Sequence, residues 1–335
     1  MLPTTEVARF FTPMTFSPTI LSRRDFLRLA ALSPLALAAG LQAYEPVARV
    51  SGPFFKPTVN AYSFLELLNA NLKDSTQGMD LFQVCTFCAK HNVEAVDLTG
   101  YFFPGYPAPP PDAYVNRIRR FVHDNGMVVS GTGVKNDFAT ADKSERMAGV
   151  QLTKDWIEVA SRLGAPVVRV FAGPHGKTNW QAASGNAKRE EVEAWMADDL
   201  RACAEYGEKF GVIVAVQNHG DFISTGAEHL SLLNRTDHAW CGPLVDTGKY
   251  LTENPYEDIA LMAPYAVNWQ IKETMGSSLK SPRTDFLRLV KIIRNSGYRG
   301  YVPIETLAMG RKDYDPMAEV LHVLNAMRDA LAASE

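Results

Sequence analysis

Four apolar runs in the second half of the sequence each end in a polar residue whose oxygen could bind a metal ion. These residues are Gln217, Asp246, Gln270 and Glu305. Two carboxylates and two amides suit a hard divalent ion such as Mn²⁺ or Mg²⁺, with water or substrate completing its coordination shell. Two carboxylates also balance the charge of a dication. The pattern therefore predicts one metal site, provided that the fold brings the four side chains together.

Two residues close to these positions could move or stabilise charge during a reaction. Side chains two apart on a strand share a face, so His219 shares the face of Gln217 and Lys272 that of Gln270. An ordinary imidazole pKa of about 6.5 suits proton transfer at neutral pH, which makes His219 a candidate base. Glu305 is the other candidate base, and Lys272 could neutralise a developing oxyanion. We predict that these three residues are catalytic.

Polar and aromatic residues at other strand ends are candidates for binding a substrate. Arg169 lies within an apolar strand, where a buried guanidinium needs a carboxylate partner or an anionic ligand. Trp269 could offer a flat apolar surface for a sugar ring. The other candidates are Asp97, Thr99, Asn136 and His175. For His175 the alternative is an exposed loop residue without a role.

The apolar runs alternate with helical stretches along the whole chain after residue 43. We count eight strand–helix units, from a strand near 58–63 to the strand that ends at Glu305, and a last helix over 316–332. Near-continuous apolar strands are typical of parallel strands covered on both faces. No G-x-G-x-x-G follows the first strand, which disfavours a dinucleotide-binding sheet. The predicted fold class is α/β, a single (β/α)8 TIM barrel over 44–335 with catalytic groups at the carboxyl ends of its strands.

The first 43 residues differ in kind from the rest. Arg23 and Arg24 precede Phe26, Leu27 and an Ala/Leu-rich stretch over Leu29–Ala39. This stretch is shorter than the roughly 20 apolar residues of a membrane span. Paired arginines before Phe-Leu resemble a twin-arginine export signal. We predict a signal peptide over 1–43, a periplasmic location, and no membrane insertion after the signal is removed.

At four strand ends the sequence resembles the sugar phosphate isomerase/epimerase-like family, also described as xylose isomerase-like barrels. Members typically show E-N-H after strand five, D-x-G after strand six, His or Gln followed by I/V-K-D/E on strand seven, and a closing Glu on strand eight. The matching segments here are Gln217-Asn218-His219, Asp246-Thr247-Gly248, Gln270-Ile271-Lys272-Glu273 and Ile304-Glu305. The resemblance covers essentially the whole chain after residue 43. It implies the four metal positions named above and the isomerisation or epimerisation of a sugar through a metal-held enediolate.

Two residues depart from the family pattern. Gln217 stands where members usually have Glu, and Gln270 stands where His is commoner. An amide carries no proton and no charge, so a two-glutamate epimerisation does not transfer intact and metal affinity should fall. β-Elimination from a 3-keto-glycoside needs the same proton abstraction without a second glutamate. The predicted function is a metal-dependent sugar isomerase, epimerase or keto-glycoside lyase. A non-catalytic carbohydrate-binding barrel that has lost its metal site is the alternative.

Predicted location and composition narrow the partners. Sugar phosphates are mainly cytoplasmic metabolites, so export predicts an unphosphorylated carbohydrate. The 335 residues contain 34 Lys and Arg against 37 Asp and Glu, a net charge of −3. This balance lacks the basic excess of a nucleic-acid-binding protein, which disfavours a barrel endonuclease. The sequence leaves a homo-oligomer open.

Overall fold

Eight parallel strands form one sheet within the described part of the chain, which comprises residues 44–174, 178–276, 278 and 280–334 of a computed structural model. The strands are Phe54–Asn60 (β1), Ala95–Asp97 (β2), Val128–Gly133 (β3), Val167–Phe171 (β4), Ile213–Gln217 (β5), Cys241–Asp246 (β6), Asn268–Gln270 (β7) and Arg299–Ile304 (β8). Each strand from β1 to β6 pairs with the next one in sequence, and β8 pairs with β1.

The sheet closes between β7 and β8. Ile271, directly after β7, forms a parallel bridge with Ile304. The Ile271 N–H donates to the Pro303 carbonyl at 2.8 Å, and the Glu305 N–H donates to the Ile271 carbonyl at 2.9 Å. The predicted (β/α)8 TIM barrel is therefore confirmed, and the last of these hydrogen bonds fixes Glu305 beside the end of β7.

Helices connect the strands and cover the outside of the barrel. Those of eight residues or more span Leu65–Lys73, Leu81–Lys90, Asp112–Asp124, Lys143–Leu163, Arg189–Phe210, Gly226–Thr236, Pro255–Met262, Phe286–Asn295 and Pro316–Ala333. None of the described helices is long and apolar enough to cross a membrane.

Capping residues in the sequence set the helix ends. The Asp142 carboxylate accepts hydrogen bonds from the Ser144 and Glu145 N–H groups, which starts the helix that runs to Leu163. Gly164 ends that helix at φ +77°, and Gly211 ends the next long helix at φ +66°. Glycine adopts this left-handed conformation without steric cost, so each helix stops where its strand must begin.

One expectation for the amino-terminal unit is corrected. The sequence predicts a first strand near 58–63, whereas β1 spans Phe54–Asn60 and the helix Leu65–Lys73 follows. The Asn60 side chain accepts from the Tyr62 N–H at 2.8 Å and turns the chain out of the strand. Leu68 then packs into the core at 1% exposure. This short helix buries a single apolar residue, which explains why the sequence pattern does not predict it.

Two apolar layers support the carboxyl end of the barrel. The larger lies between strands and helices, around side chains such as Trp156, Ile157 and Phe138 that are fully buried. A smaller cluster of Val167, Ala215 and Leu244 is separate from it. These three residues lie two positions before Arg169, Gln217 and Asp246, so they share the inward face and fill the barrel below the polar residues.

Candidate active site

A cavity of about 530 Å³ lies at the carboxyl ends of the strands. Strand-end side chains line it together with residues of the loops beyond, among them Arg169, Gln217, His219, Lys249, Gln270, Lys272 and Glu305. The volume is in the range of small-molecule sites. The structure thus brings to one place the three predicted catalytic residues and three of the four predicted metal ligands.

The fourth predicted ligand, Asp246, lies directly below this cavity. It is fully buried, and its Oδ2 accepts a hydrogen bond from Gln217 Nε2 at 2.7 Å. Its Oδ1 accepts from the Gly248 N–H at 3.0 Å. Both oxygens of the carboxylate are therefore engaged by neutral donors before any ligand arrives.

Lys272 places a positive charge between the two carboxylates of the site. Its Nζ donates a hydrogen bond to Glu305 Oε1 and lies 3.6 Å from Asp246 Oδ2. All three residues are at least 95% buried, with exposures of 4% for Lys272, 5% for Glu305 and 0% for Asp246. Buried charges are stable only when paired in this way.

Local sequence positions this lysine. Its N–H donates to Thr247 Oγ1 at 2.9 Å, and its carbonyl accepts from Thr284 Oγ1 at 2.7 Å. A Cβ atom on Gly248 would lie only 2.7 Å from Lys272 Cγ. The glycine of the Asp246-Thr247-Gly248 segment therefore makes room for the lysine stem, and the adjacent threonine fixes its backbone.

Burial and mutual attraction compete in setting the pKa values of this pair. Burial lowers the pKa of Lys272, but the neighbouring Asp246 and Glu305 carboxylates outweigh it and hold this pKa above its ordinary value. Burial raises the pKa of Glu305, and the Lys272 ammonium opposes that rise without cancelling it. Lys272 is accordingly a cation at neutral pH.

The predicted Mn²⁺ or Mg²⁺ does not fit the donor set in this arrangement. Among the described residues, no three His, Cys, Asp or Glu side chains are grouped to hold an ion. The only two carboxylates of the predicted set, Asp246 and Glu305, share the Lys272 ammonium between them. Gln217 presents an N–H rather than an oxygen to Asp246. A dication at the same place would face a buried cation at close range, which is unfavourable in a low-dielectric interior.

Two further cations, Arg169 and Lys249, line the cavity. Arg169 donates to the Val134 carbonyl at 2.6 Å and to the Tyr101 hydroxyl, and its guanidinium stacks 4.0 Å from the Phe171 ring centroid. Across the described ranges, no carboxylate lies within ion-pair distance of Arg169 or of Lys249. Burial lowers the pKa of Lys249, the Asp246 carboxylate counteracts this, and Lys272 adds to it.

His219 lies on the cavity wall after β5. Its ring centroid is 4.6 Å from that of Phe171, at an angle of 58°. The predicted alternation is consistent with this position, since Gln217 two residues earlier also lines the cavity. The imidazole therefore reaches the same space as Glu305 from a neighbouring part of the barrel.

Trp269 does not take the predicted substrate-binding position. It is fully buried, and its ring packs edge-on against Tyr298 at 5.7 Å between the centroids. Because Gln270 faces the cavity, the preceding residue on the strand must face the surrounding helices. The expectation of a sugar platform at Trp269 is therefore corrected to a role in the outer core.

Two other predicted substrate-binding residues have structural partners instead. Asn136 Nδ2 donates to the Phe171 carbonyl at 2.7 Å, and its Oδ1 accepts from the Phe171 N–H at 2.9 Å. Thr99 donates to Asn60 Oδ1 at 3.0 Å. Both are buried and neither lines the cavity, so they hold loops in place. His175 lies outside the described residues.

Asp97 lies inside the barrel rather than at the cavity wall. Its Oδ2 accepts from Asn268 Nδ2 at 3.4 Å, which links β2 to β7 across the interior. A Cβ on Gly131 would come within 2.5 Å of that oxygen, so the glycine of β3 makes space for the pair. Burial raises the pKa of Asp97 from 3.8 to about 6, with the Arg169 charge opposing the rise.

Sequence reasoning missed Lys249 and Asn218. Lys249 follows Asp246 by three residues, and this spacing carries no signal by itself because a loop sets its direction. Asn218 stands in the Gln217-Asn218-His219 segment but faces away from the cavity and bonds the backbone of Asp246 at 2.8 and 2.9 Å. Strand alternation could have identified that second role.

In comparisons with known proteins, one family model and several solved structures match this chain. A sequence model of the xylose isomerase-like TIM barrel family matches residues 85–330, which is more than half of the chain. No curated protein matches the sequence.

Solved structures match the fold at low identity. D-Psicose 3-epimerase with D-tagatose, from Clostridium cellulolyticum H10, has a TM-score of 0.63 and 14% identity over 83% of this chain and 98% of its own. The 3-keto-D-glucoside 4-epimerase YcjR from E. coli has a TM-score of 0.61 and 14% identity over 84% and 98%. The IolI protein with a bound zinc atom has a TM-score of 0.65 and 13% identity over 84% and 99%. At these identities the likeness establishes the fold alone.

Proposed function

The chain belongs to the xylose isomerase-like TIM barrel family, and from that premise and the chemistry of its cavity we propose that it is an enzyme that isomerises or epimerises a carbohydrate. The observation that carries the proposal is the buried Lys272–Glu305 pair, which faces a small-molecule cavity at the carboxyl end of the barrel. Structural neighbours that act on D-psicose and on a 3-keto-D-glucoside support the choice of substrate class.

The proposed reaction is proton transfer at a carbon next to a carbonyl group. Glu305 or His219 takes the proton, the C–H electron pair moves into the new C=C bond, and the carbonyl oxygen gains negative charge. The Lys272 ammonium donates a hydrogen bond to that oxygen, which is where preorganised charge stabilises a transition state most. Return of the proton to the opposite face gives an epimer. Return to the former carbonyl carbon gives an isomer, provided that the hydroxyl proton of the neighbouring carbon passes to the former carbonyl oxygen.

Elimination from a keto-glycoside is the second outcome of the same first step. In that case the enolate electron pair expels the substituent on the β-carbon, which leaves as an alcohol after protonation. Gln217 favours this outcome over a two-glutamate epimerisation, because an amide cannot return a proton. His219 could serve as the second proton carrier if epimerisation takes place.

The resemblance in sequence implies a divalent ion, and the IolI structure contains zinc. The dependence on Mn²⁺ or Mg²⁺ that this resemblance predicts conflicts with the donor set, in which Lys272 lies between Asp246 and Glu305. The ion would supply Lewis-acid stabilisation of the oxyanion. We route no step through it, because Lys272 already lies between the two carboxylates that would hold it.

Charge on the cavity wall suggests an acidic sugar. Arg169 and Lys249 present cations to the cavity with no carboxylate at ion-pair distance within the described ranges. A substrate carboxylate would satisfy them, and a guanidinium binds carboxylates in a two-point geometry. Such a substrate agrees with the expectation of an unphosphorylated carbohydrate.

That expectation rests on export, which residues 1–43 suggest and which lies outside the described residues. Changing Arg23 and Arg24 to Lys should leave full-length precursor in the cytoplasm. Recovery of processed protein from the periplasm at the wild-type level would contradict the twin-arginine interpretation.

The reaction is tested by NMR of keto-sugars incubated with the purified protein in D₂O. We expect deuterium at the carbon next to the carbonyl, and we expect Glu305→Gln to slow exchange from the epimer whose proton Glu305 removes by about 10²–10⁴-fold, the usual effect of losing a general base. Glu94→Gln is the matched control, because Glu94 is an exposed partner of Lys56 at the other end of the barrel. Saturable sugar binding without any exchange would identify a non-catalytic carbohydrate-binding barrel instead.

A further inference from the structure

We propose that the Lys272 ammonium is the resident cation of this site and takes the position that a divalent ion would occupy. The inference rests on the proposed function for its catalytic meaning, but its geometry and its test concern metal binding alone. It goes beyond that function because it assigns the charge that stabilises the oxyanion to the polypeptide.

The Lys272 ammonium lies where a metal ion shared by Asp246 and Glu305 would lie. Lys272 Nζ is hydrogen-bonded to Glu305 Oε1 and lies 3.6 Å from Asp246 Oδ2. An ion shared by these carboxylates would lie about 2.0–2.6 Å from their oxygens, which is the space the ammonium already fills. The two cations therefore exclude one another by volume as well as by charge.

The four predicted ligands also carry little negative charge for binding a dication. The four predicted ligands contain two carboxylates, and Lys272 offsets one of these two negative charges. Gln217 and Gln270 add none, although carboxylate and imidazole would be the stronger ligands at such positions. Gln217 also directs an N–H towards Asp246 at 2.7 Å, which serves an anion rather than a metal shell.

Neighbouring residues hold Lys272 in this position. Thr247 Oγ1 and Thr284 Oγ1 bond its backbone at 2.9 and 2.7 Å. Its stem passes so close to Gly248 that a Cβ there would be 2.7 Å from Lys272 Cγ. Only 4% of the residue is exposed, so its charge is buried together with the two carboxylates.

The contacts of the Lys272 ammonium also leave one of its N–H groups available to a substrate. An ammonium has three N–H groups, of which one bonds Glu305 and one faces Asp246. Lys272 lines the cavity, so the third can meet a substrate oxygen. A fixed single charge would then replace the exchangeable double charge of an ion.

The test is a Mn²⁺ titration of the purified protein, followed by calorimetry and by Tm, with metal content measured by mass spectrometry. Wild type should contain less than stoichiometric metal and should show no Tm change with millimolar Mn²⁺. Lys272→Met keeps the stem and removes the charge, so the freed carboxylates should bind Mn²⁺ and the Tm should rise. Lys249→Met is the matched control, because Lys249 lines the same cavity but lies outside ion-pair distance of the described carboxylates.

One equivalent of metal in purified wild type, or a Mn²⁺-dependent Tm rise equal to that of Lys272→Met, would overturn the inference. So would a folded Lys272→Met protein that binds no Mn²⁺. If that variant does not fold, the wild-type titration decides alone, and Lys272→Arg, which keeps the charge, should behave as wild type. Absence of deuterium exchange on any sugar would sink the proposed function while leaving these metal results standing.

Discussion

Asn218 and Asp246 are joined by two reciprocal hydrogen bonds at adjacent strand ends. Asn218 Nδ2 donates to the Asp246 carbonyl at 2.9 Å, and the Asp246 N–H donates to Asn218 Oδ1 at 2.8 Å. The side chain thus continues the β5–β6 ladder by one step beyond Gln217. This clamp keeps the Gln217 amide 2.7 Å from the Asp246 carboxylate, on which the site depends.

Asn218→Ala should therefore destabilise the protein and loosen the site together. It removes the partner of the buried Asp246 N–H, which costs about 1–3 kcal/mol, and it leaves the Asp246 carbonyl with only the Lys249 N–H at 3.3 Å. We expect the free energy of unfolding in urea to fall by about 2–4 kcal/mol. Asn116→Ala, at an exposed helix position, is the control and should change it by less than about 0.5 kcal/mol. Equal effects of the two substitutions would show that the clamp contributes nothing.

The roles of Glu305 and His219 can be separated by comparing exchange with turnover. If the two residues carry protons on opposite faces of the substrate, removing one leaves the other able to exchange its own proton. His219→Asn should lose epimerisation by about 10²–10⁴-fold but keep deuterium exchange from one epimer. Glu305→Gln should show the reverse preference. Loss of exchange from both epimers in one variant and neither in the other would indicate a single base.

The barrel and the strand ends could be predicted because each depends on local pattern. Apolar runs with polar ends and Gly residues after long helices mark strands and connections. Predicted and observed ends of the last helix differ by one residue. These features depend on near neighbours in the chain.

The sequence could not predict which side chains come into contact when the barrel closes. Trp269 is an aromatic residue beside a site residue, and only the inward direction of Gln270 shows that it belongs to the outer core. Asn136 meets its partner, Phe171, across 35 residues of chain. Lys272 could be placed on the inward face, but its position between Asp246 and Glu305 requires three strand ends in space.

The contribution of buried Asp97 to the stability of the protein should be greater at acidic pH than at alkaline pH. Its pKa in the folded state, about 6, exceeds the ordinary value of 3.8, so the folded protein binds the extra proton between these values. Stability from this group is present below about pH 4 and is lost as pH rises through about 6. Asp97→Asn, which carries no charge, should thus be more stable than wild type at pH 8 by up to about 3 kcal/mol. The difference should vanish near pH 4, and urea unfolding at both pH values measures it.

The contribution of His229 to stability should change with pH in the opposite direction and fall as the pH falls. Its Nε2–H bonds the Val216 carbonyl at 3.0 Å and its Nδ1 meets the Tyr250 hydroxyl at 2.9 Å, and burial lowers its pKa from 6.5 to about 3. The unfolded chain takes up this proton first, so stability is present above about pH 6.5 and is lost as pH falls towards 3. At pH 4.5 the loss should be about 3 kcal/mol. His229→Gln should flatten the dependence of unfolding free energy on pH between 7 and 4.5, whatever its stability at pH 7. An unchanged slope would remove His229 from the acid response.

The charged cavity wall predicts a preference for sugars that bear a carboxylate. Arg169 is fixed by Val134 and Tyr101, whereas Lys249 has no described ion-pair partner, so its ammonium can turn to a ligand. Lys249→Met should weaken binding of a keto-uronate by about 10-fold or more, equivalent to at least about 1.4 kcal/mol, because a charged hydrogen bond is lost. Binding of the matching neutral keto-sugar should change by less than about 3-fold. Calorimetric titration of both sugars with both proteins gives the four constants. Equal losses for the two sugars would show that Lys249 contacts a hydroxyl, and unchanged uronate binding would place the substrate charge elsewhere.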